Sequence, residues 1–426
     1  MLIFRLPSRS TRVGAKPPVA TAASQDAADP ATATKAANRS GKILVVTALM
    51  LTALFGFTAL AVDATYLMEV KKETQISAES AALAGALGLL HPDMLKTVPD
   101  PTNAISDARS QAVLYGGKNL VVNASPLVDR NEGNAFEGDI VVGRLPTWSY
   151  QNYPWEFEDP LKYNSVRVRL KRTDERNGPV ALFFSNAFGV ESSPVESVAT
   201  AIVQRGAIGF NPGQGDANTS LMPFAIRAQD WIDLIENGGS QADNWAYDAQ
   251  SGVTEGPDEI FEITMYPQSF PAGDGEGGGL TPGNFGTVDI GNTNNATPDI
   301  IRQILYGVSE EDLASHNGGA DLVLYDEGSS FDLNGDTGLS AGIKSALESI
   351  VGECRTVMLF SEVEGPGDNA MFTIVRYVSI KIMKVQLTGN PKYITVQPSF
   401  CLDGTAIIDP SGEVKNFVVL PPRLIE

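Results

Sequence analysis

The longest hydrophobic run of the chain lies near its N-terminus. The segment Ile43–Val62 (ILVVTALMLTALFGFTALAV) contains no charged residue. A helix of about 20 apolar residues is long enough to cross a bilayer, so the run predicts a membrane span. A cleaved signal peptide has a shorter apolar region and a small-residue cleavage site, and a buried core helix fits the flanking charges less well. The pattern therefore favours an anchor that is retained in the mature protein.

The polar segment after this run continues without a strong helix breaker. From Ile43 to about Leu90 the sequence has no proline and few glycines, which predicts one continuous helix. At 1.5 Å per residue this helix would be about 70 Å long, whereas the hydrocarbon core needs only about 30 Å. The remainder is predicted to form a stalk that ends at His91–Asp93, because Pro92 disfavours helix at the residue before it.

Alternating apolar and polar residues predict strands in the rest of the chain. The segments with this pattern are GDIVVGRL, SVRVRLKR, VATAIVQRG, MFTIVRYVSIKIMKVQL, KYITVQPSF and GTAIIDP. GPVALFFSNAFGV has helical spacing, and TPDIIRQILYGV predicts a helix with Thr297 as N-cap and Pro298 at its first position. Ser269–Gly286 (SFPAGDGEGGGLTPGNFG) is predicted to be a loop because of its many glycines.

These elements predict an α+β protein with a long N-terminal transmembrane and stalk helix and mixed, β-rich extracytoplasmic domains. A length of 426 residues allows more than one folded unit. Residues 1–40, rich in Ala, Thr, Ser and Pro, are predicted to be a flexible cytoplasmic tail. Residues 41–90 form the anchor and stalk, residues 91–210 a first α+β domain, and residues 211–426 a second β-rich domain.

The charge of the chain is distributed unevenly. The formal net charge is -20, yet residues 1–42 carry seven basic and two acidic side chains. A basic tail before an apolar span favours a cytoplasmic N-terminus and places the acidic bulk across the membrane. The acidic bulk also argues against nucleic acid as a partner, since phosphate binding needs clustered Lys and Arg.

A specific set of residues accompanies the end of the apolar run. In chain order they are Val62, Asp63, Lys71, Lys72, Gln75 and the block Ser77–Ala86 (SAESAALAGA). In identity and spacing this set resembles the N-terminal segment of the TadE/TadG-like proteins of Flp (Tad) pilus assembly. Thr65 stands where that family prefers glycine. The segments PVALFFSNAFGV, PGNFGTVDIG and GDTGLSAGIKSALESIVGE also resemble parts of long TadG-like proteins.

The resemblance implies a single-pass protein of the bacterial inner membrane, with a cytoplasmic N-terminus and a periplasmic or otherwise extracytoplasmic bulk. It implies a non-enzymatic structural or assembly component of a Tad/Flp-type pilus that is TadG-like or minor pilin-like. Its partners would be other pilus-assembly membrane proteins and pseudopilins, reached through the N-terminal helix. A membrane-tethered extracytoplasmic binding protein or adhesin, acting in cell adhesion without a pilus, is the alternative.

Small side chains mark one face of the predicted stalk. Ser77, Ala81, Ala84 and Gly88 follow each other at intervals of four, three and four residues, so they share one side of a helix. Such a face lets a second helix approach closely, and with the resemblance it is interpreted as an assembly face. Because alanine is also the best helix former, a solvated face is the alternative. Asp63 is either a solvated boundary residue or the partner of a cation during assembly.

Two further features concern processing. Gly41 precedes the apolar run like the glycine of a prepilin-peptidase site, but the fifth residue after it is Val46 where such sites usually have glutamate. A glycine at the start of a helix is the favoured interpretation. Cys354 and Cys401 are the only cysteines, and an oxidising compartment permits a disulfide between them. Two buried free thiols are the alternative.

Candidate catalytic and metal-binding motifs lack the residues that their chemistry needs. GLSAG contains Ser340 in a G-x-S-x-G pattern, but a turn-like segment precedes it and no histidine follows it, so Ser340 is interpreted as a helix cap. DLNGDTG resembles a calcium loop, but Gly338 is one residue late and Ile343 replaces the final glutamate, which favours an Asx-rich turn. The sequence therefore predicts no catalytic residue, no metal site and no cofactor.

Overall fold

The computed structural model describes residues 30–146, 154–214, 218–238, 243–265, 285–291, 296–316, 322–324, 328–336, 340–365, 370–389, 392–409 and 416–425. The predicted loop residues 269–284 and the first 29 residues of the predicted tail lie outside these ranges. The chain divides into two compact units, Met1–Asp63 and Ala64–Glu426.

The helices and strands of the described residues are numbered in chain order. The helices are α1 (Pro30–Gly88), α2 (Pro101–Lys118), α3 (Ala228–Asn237), α4 (Thr297–Tyr306), α5 (Glu310–Ser315) and α6 (Lys344–Ser349). The strands are β1 (Ile140–Gly143), β2 (Ser165–Arg172), β3 (Val180–Ala181), β4 (Ser192–Ser193), β5 (Val195–Arg205), β6 (Ala207–Phe210), β7 (Leu221–Arg227), β8 (Trp245–Asp248), β9 (Gly252–Glu255), β10 (Ile263–Met265), β11 (Phe285–Val288), β12 (Phe331–Asp336), β13 (Cys354–Glu364), β14 (Ala370–Gln386), β15 (Tyr393–Pro398), β16 (Cys401–Leu402), β17 (Ala406–Ile408) and β18 (Val418–Ile425).

The first unit consists, in its described part, of the N-terminal half of α1. The helix from Lys42 onward is long and apolar enough to cross a membrane, and its most apolar stretch is not buried against the rest of the protein. Inside the span the hydroxyls of Thr52 and Thr58 donate to backbone carbonyls four residues earlier, at 2.9 and 2.8 Å. Hydroxyls that are bonded within the helix can be accommodated in hydrocarbon.

Helix α1 is longer at its start than predicted. It begins at Pro30, so residues 30–40 of the predicted flexible tail are helical. The segment is rich in alanine, the best helix former, and proline is tolerated in the first turn of a helix. At the other end α1 stops at Gly88, and His91 caps a short 3₁₀ turn, Pro92–Leu95, by accepting from the Asp93 N–H at 3.2 Å.

A five-stranded sheet forms one part of the second unit. Its strand order is β1-β2-β5-β18-β16, antiparallel except for the parallel pair β16–β18. Residues of α1, α2 and this sheet share one hydrophobic core that contains Val70, Ala81, Ala112, Val166 and Val419. The C-terminal strand β18 thus joins a sheet that is otherwise built mainly from the first half of the chain.

A seven-stranded sheet forms the other part of this unit, in the order β10-β15-β14-β12-β11-β7-β13. Because β13 also pairs with β14, the strands β14, β12, β11, β7 and β13 close into a barrel. Gly286 and Gly335 leave room for the ring of Phe372, since a Cβ at either position would lie 2.9 Å or less from that ring. Together with the long N-terminal helix, the two sheets confirm the predicted α+β class.

The predicted helix in GPVALFFSNAFGV is wrong. This segment contains β3 and the loop of the hairpin β3–β4, in which Val180 pairs with Ser193, and the loop contains a 3₁₀ turn, Ser185–Phe188. Gly189, at φ +83°, ends that turn in the left-handed region that glycine adopts readily. Cross-strand pairing therefore overrides the apolar spacing of the segment.

Three smaller predictions also differ from the structure. Phe285 and Gly286, placed in the loop, belong to β11, and residues 332–336 of the predicted Asx turn belong to β12. In both cases the reason is pairing with distant strands, which a local pattern does not contain. Helix α4 has Ala296 as its N-cap, one residue before the predicted Thr297.

Candidate functional site

The small residues of the predicted assembly face lie between α1 and α2. Ser77, Ala81, Ala84 and Gly88 are all buried. The buried residues of α2 are equally small apart from one arginine, and they are Ala104, Ala108, Arg109, Ala112 and Gly116. The face thus packs on a helix of the same chain, whereas its role toward other proteins stays a prediction.

Glycines set how closely the two helices approach. A Cβ on Gly88 would lie 2.6 Å from both the Cα and the N of Ala108. A Cβ on Gly85 would lie 2.9 Å from a methyl group of Val166 and 3.2 Å from the Cβ of Ala112. Real Cβ atoms do not approach backbone atoms this closely, so position 88 requires glycine as long as α2 keeps its place.

Three polar side chains fix α1 on its neighbours. The Ser77 hydroxyl donates to the carbonyl of Gly116 at 2.9 Å, and the hydroxyls of Thr74 and Ser197 lie 2.8 Å apart. The Glu73 carboxylate accepts from the N–H of Val122 at 2.8 Å. These bonds join α1 to α2, to β5 and to the segment after α2, and so they select one register of the helix.

The two lysines of the family-like segment have different surroundings. Lys71 donates to the backbone carbonyl of Glu196 on β5. Lys72 points to solvent and forms an ion pair with Glu69 at 3.6 Å, in which both side chains are largely exposed. Gln75 donates to Glu79 at 2.8 Å. The first lysine therefore ties the helix to the sheet, whereas the second leaves a charge on the surface.

Asp63 lies at the end of the first unit and is only 2% exposed. Its role as a solvated boundary residue stays a prediction. Pairing with a cation of another protein during assembly stays a prediction.

Cys354 and Cys401 form a disulfide whose Cα atoms are 5.6 Å apart. Cys354 is the first residue of β13 in the seven-stranded sheet, and Cys401 is the first residue of β16 in the five-stranded sheet. The bond therefore joins the two sheets covalently across a separation of 47 residues.

The motifs considered for catalysis have structural roles in the described residues. The Ser340 hydroxyl accepts from the N–H of Gly342 at 3.2 Å and caps the 3₁₀ turn before α6. Gly338 lies outside the described residues. His316 accepts from the N–H of Gly291 at 3.3 Å. Among the residues that the structure describes, no group of three or more His, Cys, Asp or Glu side chains could hold a metal ion.

A buried carboxyl group, Glu262, was not identified by the sequence analysis. It accepts from the N–H of Asn244 at 3.1 Å and from that of Trp245 at 2.7 Å, where the hairpin β8–β9 begins. Burial raises the pKa of Glu262 from 4.5 to about 7, and the charges of Asp243 and Asp258 act in the same direction. The sequence feature that could have indicated its burial is a single acidic residue within the apolar run IFEIT.

Two lysines of β14 lie over the aromatic residues of β8. The Lys381 ammonium is 3.0 Å from the centroid of the Tyr247 ring, and that of Lys384 is 4.9 Å from Trp245. Burial lowers the pKa of Lys381 to about 8, although the Asp258 charge opposes this change. The hairpin is thus held by aromatic–cation contacts on one side and by a buried carboxyl group at its start.

We expect Glu262 to make the stability of the protein depend on pH. Because its folded pKa is raised from 4.5 to about 7, its contribution is complete below pH 4.5 and is lost as pH rises through 7. One proton gives a limiting slope of about 1.4 kcal/mol per pH unit. Between about pH 5 and pH 7, the unfolding free energy of the full chain in detergent should fall less in Glu262→Gln than in the native chain. Exposed Glu255 provides the matched control Glu255→Gln, and an unchanged slope in Glu262→Gln would contradict the assignment.

Comparison with known proteins relates the N-terminal segment to one family. The family model Tad, described as putative Flp pilus-assembly TadE/G-like, matches residues 41–88. Searches of curated proteins and of solved structures found no match. The predicted resemblance of the N-terminal segment is confirmed, whereas the resemblances noted after residue 88 stay predictions. Residues 41–88, which belong to α1, therefore match the Tad family of putative Flp pilus-assembly TadE/G-like proteins.

Proposed function

We propose that the chain is a non-enzymatic, membrane-anchored structural or assembly component of a Tad/Flp-type pilus, TadG-like or minor pilin-like. The observation that carries the proposal is the family match over residues 41–88, which supports a pilus-related role. The match ends at Gly88, the last residue of α1. The family-like sequence thus includes both the apolar span and the part of α1 that packs on the sheet.

The protein is proposed to span the bacterial inner membrane once, with its N-terminus in the cytoplasm and its bulk in the periplasm. The apolar helix is consistent with a single-pass anchor. Two features support this orientation. Basic residues precede the span, and the two cysteines form a disulfide, which persists in oxidising compartments outside the cytoplasm.

The proposed partners are other pilus-assembly membrane proteins and pseudopilins, which would contact the N-terminal helix. In the second unit the small-residue face of α1 is occupied by α2, as the close approach of Gly88 to Ala108 indicates. Partner contacts are therefore assigned to other parts of α1. Leu44, Phe55 and Phe57 in the span are exposed and provide apolar surface for neighbouring helices within the bilayer.

The role of the span can be tested by exchanging it. In one variant Ile43–Val62 is replaced by an unrelated apolar sequence of equal length, so that anchoring is kept while the family-like surface is lost. We expect a strain lacking the chain to lose surface pili, the native chain to restore them, and the exchanged chain to restore them poorly. A photo-crosslinker at Phe57 should capture other pilus-assembly membrane proteins, and one at Val98 should capture fewer.

A membrane-tethered adhesin is the second candidate, and the same strains distinguish it. Normal pili in the strain lacking the chain, together with a loss of attachment to surfaces or glycans, would reject the pilus role in favour of adhesion. Equal pilus formation with the native and the exchanged span would show that the span acts only as an anchor. Protease added to spheroplasts should digest the bulk of the chain, and protection of that bulk would reverse the proposed orientation.

A further inference from the structure

The hairpin β3–β4 ends in an exposed apolar loop, defined here as residues 182–190. Its large apolar side chains include Phe183, 65% exposed, and Phe188, 66% exposed, and Phe184 and Val190 are also exposed. No charged residue occurs between Pro179 and Val190. Contiguous apolar side chains of this size on a protein surface mark a contact with another apolar phase or molecule.

The loop has a defined shape that its own backbone maintains. The N–H of Leu182 donates to Glu191 O at 2.9 Å, and that of Val190 donates to Ser185 O at 3.1 Å. Inside the loop the N–H of Ala187 donates to Phe184 O at 3.0 Å. Peptide groups that are already bonded can enter an apolar phase at low cost, whereas unbonded groups cannot. The loop therefore combines apolar side chains with backbone groups of which several are bonded within the hairpin.

The loop lies close in space to the residues that follow the apolar run, which indicates that its apolar contact is the lipid bilayer. The rings of Phe183 and Tyr66 are 5.0 Å apart. Tyr66 follows Val62, the last residue of the apolar run, by four positions. Even a fully extended chain spans only about 14 Å over four residues, so chain connectivity keeps the loop near the end of the apolar run. Aromatic and apolar side chains favour the membrane–water interface.

We propose that the loop 182–190 inserts into the interfacial region of the lipid bilayer and forms a second membrane contact of the protein. This inference rests on the part of the proposed function in which Ile43–Val62 crosses the membrane. The loop would contact the upper part of the lipid acyl chains, because it carries apolar side chains and has no charged side chain that could bind a headgroup. Two contacts with one bilayer restrain the second unit at the membrane surface more than a single helix does.

Depth-dependent quenching tests the inference with the full-length chain. Single cysteines replace Phe188 or Ala187 in the loop, Phe57 in the span or Val98, an exposed apolar residue beyond the far end of α1. Cys354 and Cys401 are bonded to each other and do not react with a thiol-specific fluorophore without reductant. The labelled proteins are reconstituted into phosphatidylethanolamine–phosphatidylglycerol vesicles, with or without lipids that carry a nitroxide on the upper acyl chain.

We expect nitroxide lipids to quench the labels at positions 187, 188 and 57 strongly and the label at Val98 little. Quenching at Phe57 together with no quenching at either loop position would overturn the inference and leave the anchor intact. The exposed loop would then be assigned to contact with another protein. Absence of quenching at Phe57 would overturn the membrane anchor and with it the loop insertion. Two loop positions guard against the effect of one substitution on local folding.

Discussion

Replacement of both cysteines should lower the unfolding free energy by about 4 kcal/mol in the chain-entropy model, the largest single effect expected for this protein. The bond closes a segment in which Cys354 and Cys401 are 47 positions apart. Without it the unfolded chain gains conformational freedom. The native state also loses the covalent link between β13 and β16, which belong to different sheets.

Denaturant unfolding of the full-length chain in detergent, with and without reductant, measures this effect. The variant Cys354→Ala with Cys401→Ala should unfold at lower denaturant than the native chain and should not respond to reductant. The reduced native chain should resemble the variant. A native chain whose midpoint is the same in both conditions, and the same as that of the variant, would show that the bond contributes no stability.

The N-terminal helix and several strands could be predicted because their signals are local. The pattern SVRVRLKR coincides with β2, Ser165–Arg172, since alternation along one strand is contained in the strand itself. Closure of the barrel could not be predicted in this way. It depends on the pairing of β13 with β7, for example of Thr356 with Leu221, which are distant in sequence. Topology of this kind is decided by tertiary packing.

Helix α2 was missed because its buried face consists mostly of alanine and glycine, which form no strong apolar stripe. Asp100 does accept from the N–H of Thr102 at 2.9 Å, and Pro101 follows as the first helical residue, so a start signal was present. The same composition explains the limits of the site prediction. The spacing of small residues on α1 indicates a close helix contact, but it does not identify the opposing helix.

A methyl group at position 88 should be strongly unfavourable. Alanine normally stabilises a helix by about 1 kcal/mol relative to glycine. At Gly88 the added Cβ would lie 2.6 Å from the Cα and N of Ala108 and 2.9 Å from the carbonyl carbon of Asp107. All three are backbone atoms, so α2 itself would have to move. Gly88→Ala should therefore cost up to about 3 kcal/mol, the upper part of the range for overpacked cores.

The matched control is Gly56→Ala in the same helix, where no atom lies within 4 Å of the added Cβ. We expect it to leave stability unchanged or to raise it slightly, because only helix propensity changes. Thermal unfolding of both variants in detergent, followed by tryptophan fluorescence, measures the difference. If Gly88→Ala were as stable as Gly56→Ala, the contact between α1 and α2 would not be close in solution. The small-residue face of α1 would then be available to other proteins, as the assembly interpretation requires.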